Sequence, residues 1–146
     1  MGDRTALTAV IHDCPPVERV RVLEILAQWF DGSDYGEGAG ETLELENTYM
    51  DPEASCGSAD ELAGQLEDVP GISFTVWEDP AYEWLGSVRA YTPDLGSYAA
   101  ECTADGTPVL EYGQIAAVIA AVPEGGDIAA AVALAYGQPW LAPKPE

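Results

Sequence analysis

Basic residues are nearly missing from this chain. Its 146 residues include five lysines and arginines, one histidine and 26 aspartates and glutamates, so the formal net charge is −21 at neutral pH. The single lysine is Lys144, and neither lysine nor arginine occurs between Arg21 and Arg89. Nucleic acids and anionic membranes are recognised through basic side chains, so this deficit argues against direct binding to either.

Cysteine and histidine are also too sparse for several kinds of site. The three cysteines, Cys14, Cys56 and Cys102, are odd in number and form no C-x-x-C pair. This argues against a disulfide framework and fits reduced thiols in a cytoplasm. A zinc site needs four closely spaced ligands, and His12 is the only histidine. Phosphate-binding glycine motifs and the G-x-S-x-G elbow are absent, so we expect no metal and no cofactor.

Targeting and membrane-spanning segments are not visible in the sequence. The N-terminal residues 1–13 lack a basic region followed by an apolar run, so they do not resemble a secretion signal. The alanine-rich C-terminal part is interrupted by PEGGD at residues 123–127, which is incompatible with a membrane span. We therefore expect a cytoplasmic protein.

Two short patterns resemble functional sites only in part. His12 and Cys14 are two residues apart on a predicted strand and would share a face, so a Cys–His dyad is geometrically possible. No local signature accompanies them, which favours strand-end residues without chemistry. Residues 31–36, DGSDYG, begin like a calcium-binding EF-hand loop, but Thr42 stands where the bidentate glutamate belongs.

The pattern of apolar residues is that of one ordinary domain. They make up 47% of the chain, which suits a globular protein of this length. Strands are predicted at 6–12, 41–49, 72–78, 85–91, 97–103 and 109–112, and helices at about 15–31, 58–69, 114–122 and 128–136. This order, β-α-β-α and then a β-meander, predicts an α+β domain with a mixed or antiparallel sheet, helices packed on one face and a helical C-terminus. Residues 1–137 would form the domain and residues 138–146 a proline-rich tail.

Local signals add detail to the acidic half of the chain. In residues 41–49 Leu43 and Leu45 alternate with acids, which predicts a half-buried strand with an acidic outer face. Glu44 and Glu46 would then lie about 6.7 Å apart on that face. Pro52 indicates a loop over residues 50–57, and Ser58 with Glu61 predicts a capping box at the start of a helix.

Two groups of residues are candidate binding surfaces. The first is an acidic face formed by the base-free tract: Glu41, Glu44, Glu46, Asp51, Glu53, Asp60, Glu61, Glu67 and Asp68. The second is an aromatic hairpin within WEDPAYEW: Trp77, Glu78, Asp79, Tyr82, Glu83 and Trp84. Tryptophan and tyrosine often anchor partners, and acids pair with arginine. Alternatively, the tryptophans pack on the core or on each other.

A resemblance to known proteins adds context. Residues 74–109, FTVWEDPAYEWLGSVRAYTPDLGSYAAECTADGTPV, resemble uncharacterised small acidic proteins of actinobacterial plasmids and phages, which implies no activity. In overall charge the chain is similar to antirestriction and anti-defence DNA mimics carried by mobile elements. That second likeness is one of composition and assigns no role to any residue.

The sequence therefore predicts a non-enzymatic binding protein or inhibitor whose anionic surface docks on a basic, nucleic-acid-binding protein, as a DNA mimic does. Two alternatives stay open. The acidity could serve only the solubility of a generic partner-binding domain, or a pocket near the WEDPAYEW hairpin could bind a small ligand or carry out catalysis. Carboxylates spread evenly over the surface would favour the first. A pocket holding a carboxylate of raised pKa near His12 or a cysteine would favour the second.

Overall fold

Six strands of the chain form one antiparallel sheet. The computed structural model describes residues 4–30, 43, 45–80 and 86–141. In chain order the strands are β1 (Arg4–Asp13), β2 (Thr48–Ser55), β3 (Ser73–Glu78), β4 (Gly86–Thr92), β5 (Gly96–Cys102) and β6 (Pro108–Val109). Their order in the sheet is β2-β1-β3-β4-β5-β6. The helices are α1 (Arg19–Trp29, after a 3-10 turn at Pro16–Glu18), α2 (Ser58–Glu67), α3 (Tyr112–Ala121), α4 (Ile128–Ala135) and α5 (Gln138–Leu141).

The predicted α+β class is confirmed, and one face of the sheet carries the main core. Because side chains alternate along a strand, Leu7, Ala9 and Ile11 of β1 share a face with Phe74 and Val76 of β3. All five are buried, and α1 and α2 pack against them with four buried side chains: Val22, Leu26, Leu62 and Leu66. We call this side of the sheet the core face.

Helix α5 and the C-terminal end of α4 lie against the other side, which we call the second face. Tyr98 of β5 points to this side, where its hydroxyl donates a hydrogen bond to the carbonyl of Ala135 at 2.7 Å. Its ring stacks on Trp140 of α5, with centroids 5.0 Å apart. The indole N–H of Trp140 donates to the carbonyl of Gly96 at 2.9 Å. Helices therefore lie on both faces, and the first part of the expected tail, residues 138–141, is built into the domain; residues 142–146 lie outside the described part.

The position of β2 differs from the prediction. Residues 45–46 form a turn, in which Glu46 has a φ of +62°, and the strand follows at 48–55 through most of the predicted loop. Pro52 fits because β2 is an edge strand and its pairing with β1 is irregular between Thr5 and Leu7. A residue without an N–H is tolerated at such a place. Residues 41, 42 and 44 of the predicted strand lie outside the described part.

Candidate functional sites

Helix α2 and its C-cap residue carry four acids on the side of the core-face layer that is turned away from the core. We call Asp60, Glu61, Glu67 and Asp68 the acidic stripe. Residues seven apart lie two helical turns apart on nearly the same side, so the two pairs line up along the helix. Gly64 between them is exposed, whereas the opposite side is buried in the core through Ala59, Leu62, Ala63 and Leu66.

Few cations oppose this stripe. Among the described side chains, Arg89 of β4 is the one basic group in an ion pair with it, through Asp60 at 2.6 Å. The Arg21–Glu18 ion pair and the hydrogen-bonded contact of His12 with Glu46 lie elsewhere. The remaining carboxylates repel each other and gain from cations supplied by the surroundings.

The other predicted acids do not extend the stripe into one continuous strand-borne array. Asp51 and Glu53 lie on the edge strand β2. Glu46 lies in a turn beside His12, so the spacing predicted for Glu44 and Glu46 on a strand does not apply. Glu41 and Glu44 lie outside the described residues.

The described residues of the predicted aromatic hairpin do not form one common surface. Trp77 and Glu78 are neighbours on β3 and therefore point to opposite faces. Trp77 lies on the second face, where its indole N–H donates to the carbonyl of Ala104 at 3.2 Å. Glu78 is buried on the core face, so its assignment as a partner-binding residue is wrong. Tyr82, Glu83 and Trp84 lie outside the described part.

Glu78 caps α2 instead. Its carboxylate oxygens accept the backbone N–H groups of Gly57 at 3.1 Å and Ala59 at 2.6 Å. The predicted capping box is therefore wrong, since the N-cap is Gly57 and the hydroxyl of Ser58 donates to the carbonyl of Ser55. A carboxylate at a helix N-terminus satisfies free N–H groups and interacts favourably with the helix dipole. This cap attaches the start of the helix that carries the acidic stripe to the sheet.

A cleft of about 670 Å³ opens on the second face, between β1, β3, the β5–β6 turn and the C-terminal helices. This volume lies within the usual range for small-molecule sites, roughly 300–1,000 Å³. Its lining includes His12, Glu46, Thr75, Trp77, Asp105 and Tyr136. The sequence pointed to His12, Glu46 and Trp77 individually. It contained no signal for Thr75, Asp105 or Tyr136 beyond the Asp105-Gly106 turn.

His12 is the centre of a hydrogen-bonded chain in this cleft. Its Nε2 lies 2.8 Å from the hydroxyl of Thr75, and its Nδ1 lies 3.0 and 3.1 Å from the two carboxylate oxygens of Glu46. The order hydroxyl, imidazole, carboxylate is that of a hydrolase triad. However, Thr75 is buried in the middle of a strand with partners on both sides, so its backbone N–H is committed to the sheet and cannot bind an oxyanion. We interpret these hydrogen bonds as interactions that orient the side chains of His12 and Glu46.

Asp105 is a second carboxylate on the rim of the cleft. Its side chain accepts hydrogen bonds from the hydroxyl of Thr103 and, at 3.2 Å, from the N–H of Thr107. These hydrogen bonds lower the pKa of Asp105. With Glu46 nearby and two aromatic side chains in the lining, the cleft combines negative charge with π surfaces. That combination suits a cation with an apolar body.

The cysteines do not take part in this cleft. Cys14 is buried in the core, where its thiol donates to the carbonyl of Pro15 at 3.5 Å. The expected shared face of His12 and Cys14 is wrong, because an irregularity between Ile11 and Asp13 interrupts the alternation along β1. Burial raises the pKa of Cys14, and burial together with nearby Asp79 raises that of Cys102 to about 12. Neither thiol is therefore poised as a nucleophile.

Two other kinds of site are absent from the described ranges. Within residues 4–30, 43, 45–80 and 86–141, no three histidine, cysteine, aspartate or glutamate side chains cluster as metal ligands would. In the same ranges, no helix has the length and apolar character required to cross a bilayer. The EF-hand-like residues 31–36 lie outside them.

Comparison with known families places the chain. A family model matches residues 41–143, which include the acidic stripe and much of the cleft lining. The chain belongs to the family described as "Protein of unknown function (DUF3145)". His12, on β1, precedes the matched region. No curated protein matches the chain, and no solved structure does.

Proposed function

We propose that this protein is a non-enzymatic binding protein that docks its acidic stripe on a basic surface of a nucleic-acid-binding protein. The observation that carries the proposal is the stripe itself. Four carboxylates, three of them exposed, lie along one packed and capped helix and its C-cap residue, and Arg89 is the one cation paired with them among the described residues. A fixed array of like charges attracts an oppositely charged surface and speeds the encounter with it.

The narrower idea of DNA mimicry now depends on α2 rather than on a strand. Asp60 and Glu67 are separated by about 10.5 Å along the helix axis, and so are Glu61 and Asp68. Such pairs can contact cationic groups that normally bind phosphates along one side of a duplex. Duplex DNA would compete for the same basic surface of such a partner and would displace this protein from it.

The test compares two variants of equal net charge. The triple variant Glu61→Gln, Glu67→Gln, Asp68→Asn removes most of the stripe but keeps the Asp60–Arg89 pair. The control variant Glu24→Gln, Asp94→Asn, Glu124→Gln removes three exposed acids elsewhere. Binding of a fluorescent arginine-rich peptide would be followed by anisotropy at increasing salt. We expect the stripe variant to lose about tenfold in affinity and the control less than about threefold, because close charge pairs contribute more than distant ones.

Equal losses in the two variants would show that the charge acts only as a general property, as the solubility alternative requires. An affinity that does not fall as salt rises would also contradict the proposal. Proteins captured from a host lysate at low salt and released by duplex DNA would identify the partner class. Captured proteins that DNA does not displace would rule out mimicry.

The cleft favours a second function, the binding of a small organic cation. Glu46 and Asp105 supply negative charge, and Trp77 and Tyr136 supply aromatic surface. Burial raises the pKa of Asp79, but this carboxyl does not belong to the described lining. The geometry therefore supports binding rather than acid–base catalysis.

This second function can be tested with two probes of matched shape and opposite charge, benzylammonium and benzoate. We expect benzylammonium to shift the NMR signals of the Trp77 indole and the His12 ring saturably, and benzoate to leave them unchanged. Glu46→Gln should weaken binding about threefold to tenfold, in line with the contribution of a partly exposed charge, whereas Glu24→Gln should not. Equal binding of both probes, or shifts spread over the whole surface without saturation, would contradict a cation site.

A further inference from the structure

The two helices α3 and α4 are apolar but not buried. Neither helix contains a charged residue, and none of their residues is buried. Ile119, Ile128 and Leu134 are 42%, 50% and 49% exposed, and Tyr112 is 88% exposed. A helix that is apolar on most sides is normally covered by protein or lipid.

The two helices form a defined hairpin rather than loosely ordered chain. Glu111 and Gln114 make a capping box at the start of α3. The carboxylate of Asp127 accepts the N–H of Ala130 at 3.0 Å at the start of α4. A groove of about 590 Å³ runs beside the helices; its lining is mostly apolar, with Val118, Val122 and Leu134, and includes Asp127. We call residues 112–135 the apolar hairpin.

We propose that the apolar hairpin is the contact between two copies of this chain. Two hairpins that meet about a two-fold axis form a four-helix bundle, in which each copy contributes the same surface. Exposed side chains such as Ile119 and Ile128 of one copy can then enter the groove of the other.

The charge distribution favours a second copy over other occupants. A partner with a basic surface would find Asp127 as the one acid in the groove lining, and this carboxylate already caps α4, so the partner would have to desolvate its charges there without a matching set of acids. A second copy offers the same largely apolar surface. Three acids lie at or between the ends of the two helices: Glu111 at the N-cap of α3, Glu124 in the connecting turn and Asp127 at the N-cap of α4. The acidic stripe lies on the helical layer that covers the core face, whereas α5, which follows the hairpin, packs on the second face.

The size of the hairpin predicts a weak, reversible dimer. Helices of ten and eight residues are about 15 and 12 Å long, and two of them side by side are about 20 Å wide. The resulting face of about 300 Å² in projection is smaller than the roughly 800 Å² that each partner buries in a standard interface. Association should therefore be observable only at high protein concentration.

The dependence on salt distinguishes this contact from the binding of a basic partner. Two copies that each carry −21 repel each other, and added salt screens that repulsion while leaving apolar burial intact. Dimerisation should strengthen as salt rises, whereas docking of the acidic stripe on a basic protein should weaken. The dimer proposal does not depend on the proposed function.

The test is sedimentation velocity over a range of protein concentrations at low and high salt. We expect the mass to rise from that of the 15.4 kDa chain towards twice that value, and to do so at lower concentration in high salt. The variant Ile119→Gln, Leu134→Gln should remain a monomer. The matched control Val17→Gln, Val20→Gln, which changes two exposed apolar residues near α1, should dimerise as the wild type does.

A wild-type mass that stays at 15.4 kDa in every condition would overturn the proposal. So would equal dimerisation of the two variants, or growth of large aggregates in place of a dimer. Circular dichroism of both variants would show whether the helices persist. A third variant, Ile128→Gln, changes one hairpin residue and should raise the dissociation constant of the dimer.

Discussion

The carboxylate of Glu78 on β3 accepts the backbone N–H of Ala59 on α2 at 2.6 Å. A second bond, from the N–H of Gly57 at 3.1 Å, uses its other oxygen. One buried acid thus joins the centre of the sheet to the first turn of the helix that carries the acidic stripe. In a chain with so large an excess of acids, this carboxylate serves the fold rather than a partner.

Removal of this carboxylate should destabilise the protein. Glu78→Ala leaves the buried N–H of Ala59 and the part-buried N–H of Gly57 without their acceptor, and we expect a loss of about 2–4 kcal/mol in the free energy of unfolding. Glu78→Gln keeps one acceptor oxygen and should lose about 1–2 kcal/mol. Urea denaturation measures both values. The exposed Glu101→Gln is the control, and a loss as small as its own would refute the capping role.

Gly106 and Trp77 provide a second test, because the glycine lies against the indole. A Cβ added to Gly106 would be 2.9 Å from Cδ2 of Trp77, and the residue has a φ of +82°. Gly125 has the same φ of +82° with open space around its Cβ position. Gly125→Ala should therefore cost only the backbone strain, about 1–2 kcal/mol, and Gly106→Ala about 1–3 kcal/mol more from overpacking. Equal losses would show that the indole moves aside freely.

Cys102 should be unreactive in the folded protein and should affect stability at high pH. Burial raises its pKa from 9.0 to about 12. The folded protein therefore keeps the thiol proton over a range in which the unfolded chain has lost it. The stabilising contribution is complete below pH 9, and it is lost as the pH rises towards 12. Cys102→Ala should show a shallower fall in the free energy of unfolding over this range, and a slope equal to that of the wild type would contradict the prediction.

Asp79 also has a raised pKa, but its charge lowers the stability of the folded protein already at neutral pH. Burial raises its pKa above 3.8, so the folded state prefers the protonated carboxyl. The contribution of this group to stability is present below pH 3.8 and is lost as the pH rises through the folded-state pKa. Asp79→Asn should therefore be more stable than the wild type at pH 7, and the difference should vanish in acid. Thermal unfolding from pH 3 to 7 measures this, with Asp94→Asn as an exposed control.

The meander and the helical hairpin could be predicted closely from local chemistry. The Asp105-Gly106 and Pro93–Gly96 turns delimit β4 to β6, and PEGGD separates α3 from α4. Turn residues act on their immediate neighbours, so their effect is visible in the sequence. The position of β2 was not predictable in the same way. Its pairing with β1 and the edge position that accommodates Pro52 are tertiary properties.

The cap and the cleft show where prediction from neighbouring residues ends. Ser58 and Glu61 fit a capping box, yet Glu78, 19 residues from Ala59, supplies the acceptor. His12 contacts Glu46 and Thr75, which are 34 and 63 residues away in the chain. No local pattern relates such pairs, because strand order and register bring them together.

The sequence by itself determined the sign and the size of the charge, the absence of basic recognition elements, and the number and type of most elements. These properties add up residue by residue and need no knowledge of the fold. Only the tertiary structure decided which acids remain available. Glu78 is used as a helix cap, Glu46 contacts His12, and Glu67 accepts a hydrogen bond from the hydroxyl of Ser97, whereas Glu61 and Asp68 stay exposed. The reason is that burial and hydrogen bonding depend on which elements pack together, and long-range contacts decide that packing.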